Sequence, residues 1–292
     1  AAGLSAFQDP RTGKWGFKNA NGDIVVAASF DKITGFRDGV AQVSVVGPDG
    51  QLLNGLMDAD GRVIAAPQFS HIRPLREGLW AVEKDGKWGF IGKDFGDGNY
   101  SVTPQFDKVG PLGEGQVPVG VIGQDGKMKY SFVDQNGRPL NNQSYDRVYP
   151  FQNERAAVQV GEKWGVIDQY GNATIPAAYD RIDPRSSSQG TMTIGVKQPD
   201  GSYKYGQIDQ YGNPLNQPQF SAVKGFSEDL AAAQLNGKWG YIDAYGRWVI
   251  QPQFARGDSF SGGRAKVQDA TGIYFVDPQG RRVAAPAPSQ QK

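Results

Sequence analysis

Apolar and polar positions alternate along this chain in short runs that come in threes. Near the C-terminus the run 230–235 stops at Asn236-Gly237, a strong signal for a two-residue hairpin. In the next run, 238–243, Trp239, Tyr241 and Asp243 fall on one face, and Gly240 and Ile242 on the other. Asp243-Ala244-Tyr245-Gly246 reads as a turn, with Asp able to bond the backbone ahead of it and Gly able to take positive φ. A third run, 248–250, precedes Pro252, which is expected to end it. The three runs predict a three-stranded meander, followed by a connector carrying Phe254 and Phe260.

The same frame recurs along the chain. Trp15-Gly16-Phe17, Trp88-Gly89-Phe90-Ile91 and Trp164-Gly165-Val166-Ile167-Asp168 are close copies. Gly55-Leu56-Met57-Asp58, Tyr130-Ser131-Phe132-Val133-Asp134, Tyr205-Gly206-Gln207-Ile208-Asp209 and Tyr274-Phe275-Val276-Asp277 are looser ones. With the Asp as register mark, units are anchored at 19, 58, 92, 134, 168, 209, 243 and 277, where Asn19 and Gly92 replace Asp. The eight units cover 1–38, 39–77, 78–114, 115–152, 153–188, 189–228, 229–262 and 263–286, a single repeat domain over 1–286 with a flexible tail at 287–292. Odd units begin strand two with Trp15, Trp88, Trp164 and Trp239; even units have Asn54, Tyr130, Tyr205 and Ile273 there. The true period is therefore a pair of about 75 residues, present four times. Unit three also inserts Asp94-Phe95-Gly96-Asp97-Gly98.

These residues resemble the bacterial WG (or KWG) β-repeat family. Gly237-Lys238-Trp239-Gly240-Tyr241-Ile242-Asp243, then Val249-Ile250-Gln251-Pro252-Gln253-Phe254, carry the likeness, which extends from Leu4 to about Pro286. The resemblance implies a β-repeat module, often exported or joined to other domains, and it brings no catalytic residues. The expected fold is all-β, with roughly 24 short strands. An open, solenoid-like array comes first, because units of 34 residues and three strands are lean for a propeller blade. An eight-bladed propeller is the alternative.

Composition narrows the function. Thirty-one basic and 30 acidic residues leave a net charge of +1, with no basic run, so nucleic acid is not the expected partner. No run of 18 apolar residues exists to insert into a membrane. There is no cysteine, which removes disulfides and thiolate metal sites. The start Ala1-Ala2-Gly3 looks like the small-residue side of a signal-peptidase cut, so an exported protein, periplasmic or extracellular, is expected.

Catalytic chemistry is sparse. His71 is the only histidine and sits where other connectors have Lys32, Lys108, Arg147 and Arg181, so it reads as a polar surface residue. Asp58-Ala59-Asp60-Gly61 and Asp134-Gln135-Asn136-Gly137 resemble the start of a calcium loop, but Pro67 and Gln143 stand where its Glu is needed. Turn formation explains these aspartates better. No acid pair breaks the repeat in the manner of a glycosidase. No enzyme, metal or cofactor is expected.

The aromatics divide by how often they recur. Trp15, Trp88, Trp164 and Trp239 answer a repeated need and read as packing between units, with the neighbouring Gly allowing a backbone to approach. Trp80 stands where other units have Ala41 or Ala231, and Trp248 where they have Ile24 or Ala173. Tyr170, Tyr211 and Tyr245 sit in turns that elsewhere hold Asn21, Asp60 or Asn136. These five are the candidate binding residues. Two functions are expected from them: a scaffold binding another protein in the envelope or outside the cell, or a module binding a glycan. A contiguous apolar patch would mark the first; aromatic-floored grooves flanked by Asp, Asn and Arg would mark the second.

Overall fold

The computed structural model describes residues 3–92 and 100–288. The insertion Asp94-Phe95-Gly96-Asp97-Gly98 and most of the tail 287–292 lie outside them. The described chain is all-β, with no α-helix and no helix long and apolar enough to cross a membrane. It forms eight antiparallel sheets, each made from consecutive strands; none borrows a strand from elsewhere in the chain. Sheets 1 to 8 span 5–30, 32–69, 71–106, 108–133, 147–179, 181–208, 222–254 and 256–283. Each sheet is thus a local meander of consecutive strands, as expected of a tandem array. Two compact halves, Ala1–Ser144 and Tyr145–Lys292, hold sheets 1 to 4 and 5 to 8.

Sheet 7 shows the building plan. Ala231–Leu235, Lys238–Ile242 and Trp248–Phe254 are the expected meander. The connector adds a short first strand, Ala222–Val223, which pairs with Gln234 and Ala233. Sheets 2 to 8 all gain such a strand, whereas in sheets 4 and 6 the third strand shrinks to isolated bridges at Val133–Pro139, Ile208–Pro214 and Tyr205–Phe220. Hence 29 strands are formed among the described residues, where about 24 were expected.

The proline does not end strand three, contrary to the sequence-based expectation. Pro252 lies inside Trp248–Phe254, and Pro67, Pro104 and Pro176 lie inside their third strands as well. Strand three is the sheet's edge, and it bulges there: Trp239 pairs Phe254, but Tyr241, two residues on, pairs Ile250, four residues back. The bulge removes the need for the missing N–H. It also explains the glycine after the tryptophan. A Cβ on Gly165 would stand 2.5 Å from the Ile175 oxygen and 2.7 Å from the Ala177 nitrogen, so the bulged backbone occupies the side chain's place.

Turns follow from local chemistry. Asp243 Oδ1 accepts from the N–H groups of Tyr245 and Arg247, and Asp58, Asp134, Asp168, Asp209 and Asp277 repeat the arrangement in their own turns. The register-mark aspartates are thus turn formers. Asn236-Gly237 makes the expected hairpin, with φ of 51° and 79°.

Within each half, successive sheets pack face to face, and the seams alternate. From an odd sheet to the next even one, apolar clusters join Phe17 and Phe30 with Val43 and Met57, Phe90 and Phe106 with Val119, Val166 with Ile194, and Tyr241 with Val267. At three of these seams a lysine beside the Trp is latched to a connector aspartate: Lys14–Asp31, Lys87–Asp107 and Lys163–Asp180. Each aspartate also accepts a backbone N–H from the next sheet, from Val46, Ile122 and Lys197. At the even-to-odd seam inside each half serine replaces the aspartate, Ser70 bonding Glu83 and Ser221 bonding Gln234. In sheet 2 Asn54 stands in for Trp and bonds the carbonyls of Phe69 and Ser70. Within each half the seams thus alternate between two chemistries, although the connector into sheet 5 keeps an aspartate, Asp146, which accepts the Gly161 N–H.

Candidate functional site

The four repeat tryptophans are packing residues. Trp164 is buried, and Trp15, Trp88 and Trp239 are half-buried against the odd-to-even clusters. Residues in or just after the short first strand of the same sheet lie against three of them. Arg73 lies 5.3 Å over Trp88 with His71 stacked 6.4 Å away; Tyr149 sits 5.2 Å from Trp164, and Lys224 5.1 Å over Trp239. His71 also bonds Glu83 at 3.0 Å, the first cause holding that carboxyl below its ordinary value, so the lone histidine serves this cap.

The five candidate binding residues do not behave as one set. Trp248 is half-buried at the seam between sheets 6 and 7, edge-on to Phe220 at 5.3 Å. Trp80 packs against the corresponding seam between sheets 2 and 3. A single-copy tryptophan thus sits at an even-to-odd seam in each half, where the repeat tryptophan is missing. Tyr170, Tyr211 and Tyr245 are exposed, at 72%, 73% and 42%. They lie in the Asp turns of sheets 5, 6 and 7, and the later two turns pack on the sheet before them: Gly212 lies against Ile175 of sheet 5, and Gly246 against Asn216 of the loop leaving sheet 6. The three tyrosines are thus exposed on equivalent turns of three successive sheets in the second half.

Trp80 differs from Trp248 in lining a cavity of about 870 Å³ between sheets 2 and 3. Phe36, Leu56 and Ile72 share its apolar lining; Arg37, Asp38, Arg76 and Glu77 carry its charge. These four charged residues come from two equivalent hairpin turns, Phe36-Arg37-Asp38-Gly39 and Leu75-Arg76-Glu77-Gly78, in which the last two residues take positive φ. Sequence reading picked out Trp80 but passed over the two arginines. The signal was present, because the equivalent turns at Gly113, Gln152, Ser227 and Ser261 place no arginine there. A second groove of about 530 Å³, in the other half, is lined by Tyr149, Tyr205, Arg181, Asp183 and Arg185. There the cations are already engaged: Arg185 clasps Asp183 through two bonds, and Arg181 lies 3.7 Å over Tyr203 and donates to the Tyr205 hydroxyl.

A family model for the WG containing repeat matches residues 15–45, 55–88, 130–164, 205–239 and 239–269, more than half of the chain. The chain belongs to the WG-repeat family. Each matched WG segment begins on the Trp-bearing or equivalent middle strand of one meander and ends on the first or middle strand of the next, so in sequence the family's unit runs across a sheet boundary. No curated protein matches this WG-repeat chain. Among solved structures it is similar to Hsv2 of Kluyvelomyces marxianus, with 13% identity over 72% of this chain and 76% of that one, at a TM-score of 0.39. It is also similar to the extracellular domain of the putative one component system BT4673 of B. thetaiotaomicron, with 10% identity over 96% of this chain and 40% of that one, at 0.35. The β-propeller domain of the Trilobed protease of Pyrococcus furiosus follows, with 8% identity over 88% and 99%, at 0.35. Likenesses this loose carry no argument about function.

Proposed function

We propose that this WG-repeat chain is a non-catalytic scaffold working in the cell envelope or outside the cell, and that its ligand is a saccharide. The Trp80 cavity carries the reading. It combines an aromatic and aliphatic floor with arginine and carboxylate groups at its rim, the groove chemistry expected of a sugar site. Sugar rings offer weakly positive C–H faces to an aromatic ring and hydroxyls to carboxylates and guanidinium groups. Large exposed apolar side chains instead occur singly or in pairs on separate sheets, as Ile24 with Val25, Val46 with Leu52, Val121 with Ile122, and Ile273. Glycan-array binding by the intact chain, lost in Trp80→Phe and Arg76→Ala, is the expected result. An array with no binding overturns it.

The three exposed tyrosines support a second reading, a protein partner on the turns of sheets 5 to 7. Tyrosine is a common anchor of protein interfaces, and three successive sheets expose one each on equivalent turns. Under this reading, replacing Tyr170, Tyr211 and Tyr245 together with Ala abolishes capture of a partner from an envelope extract, and Trp80→Phe does not affect it.

A further inference from the structure

We propose that the cavity between sheets 2 and 3 selects a carboxylated sugar, a uronic acid ring, over neutral sugars; this rests on the saccharide reading above. The arginines carry the argument. Arg37 and Arg76 are exposed, both line the cavity, and neither side chain has a hydrogen bond or ion pair among the described residues. The turn itself does not require them, since its other copies have Gly113, Gln152, Ser227 and Ser261 at that place. Two unengaged guanidinium groups, on equivalent turns of successive sheets, line one cavity. A guanidinium fork matches a carboxylate bidentately.

The rest of the lining decides what carries that carboxylate. Asp38 and Glu77 line the same cavity, so the four charges cancel, and a compact multiply charged anion such as a phosphate gains little there. A uronic acid ring, with one carboxylate and several hydroxyls per ring, uses every group: the ring's carboxylate accepts from Arg37 and Arg76, its hydroxyls donate to Asp38 and Glu77, and its apolar face rests on Trp80. A neutral sugar leaves the two arginines without an anion. At about 870 Å³ the cavity is in the size range of sites that hold a small ligand of a few rings. The WG array thus keeps a repeated turn and loads two successive copies of it with arginine.

Isothermal titration calorimetry of the full chain tests this, with trigalacturonic acid as probe. Maltotriose serves as the neutral sugar and tricarballylate as a carboxylate without a ring. The expected result is that trigalacturonic acid binds at least tenfold more tightly than either, and that added salt narrows the gap. In the double variant Arg37→Gln/Arg76→Gln the preference over maltotriose disappears while the melting temperature is unchanged. The control Arg147→Gln/Arg256→Gln changes net charge equally and retains the preference. Equal binding of the two sugars overturns acid selectivity and leaves the saccharide reading standing; no binding of either sugar overturns both. Tricarballylate binding as tightly as the uronate, or a preference that survives the double variant, also overturns the proposal.

Discussion

Alanine at Gly89 is the sharpest test of the structural logic, because two opposing effects predict opposite signs. Gly89 follows Trp88 on strand two and pairs with Val82 on strand one. On its other side strand three bulges, so a Cβ would lie 2.6 Å from the Pro104 nitrogen and 2.7 Å from the Thr103 carbonyl carbon, closer than non-bonded atoms approach. Every obstructing atom is backbone, so no side chain can swing aside. Forcing extra volume into a packed site costs about 1–3 kcal/mol. Replacing a glycine also stiffens the unfolded chain, which returns about 0.4–1 kcal/mol. Gly89→Ala should therefore lose about 1–2 kcal/mol, a drop of about 2–8 °C in melting temperature at about 2–4 °C per kcal/mol. Gly35 is the control: it lies in the same half, with nothing within 4 Å of its would-be Cβ. Gly35→Ala should be neutral or slightly stabilising. The two variants are compared by thermal melts and by urea titration of the intact chain. Equal melting temperatures for the two would refute the account of why glycine follows the tryptophan.

Other expectations follow from the same seams. Asp180 is held below its ordinary value near 3.8, first by the Lys163 hydrogen bond and then by the Lys197 N–H. A depressed carboxyl stabilises the fold above its unfolded value and ceases to as pH falls through the folded one, so the urea midpoint should fall as pH drops below about 4. Asp180→Asn should flatten that dependence; an unchanged slope would remove the latch from the account. Trp164→Ala should cost about 3–5 kcal/mol in a denaturant titration, as for a buried aromatic, and Trp248→Ala less, about 1–3 kcal/mol, since it is half-buried. Replacement of Tyr170, Tyr211 or Tyr245 by Ala should shift stability by no more than about 0.5 kcal/mol each. A larger loss would mean that these side chains are packed rather than presented.

How much of this was legible in sequence follows from the range over which each feature is decided. Hairpins and turns depend on a few adjacent residues, so Asn236-Gly237 and the register-mark aspartates identified the meander and its eightfold recurrence. Recurrence alone also separated the repeat tryptophans from Trp80 and Trp248, yet all six pack at seams between sheets. The seams, by contrast, join residues far apart in the chain. That Trp248 meets Phe220 edge-on and that Lys163 reaches Asp180 depended on how neighbouring sheets stack. Pro252 was misread because its effect rests on strand three being an edge with a bulge, which pairing decides. The Trp80 cavity stayed hidden for the same reason: Arg37 and Arg76 lie 39 residues apart, and only the face-to-face packing of sheets 2 and 3 brings their turns to one cavity.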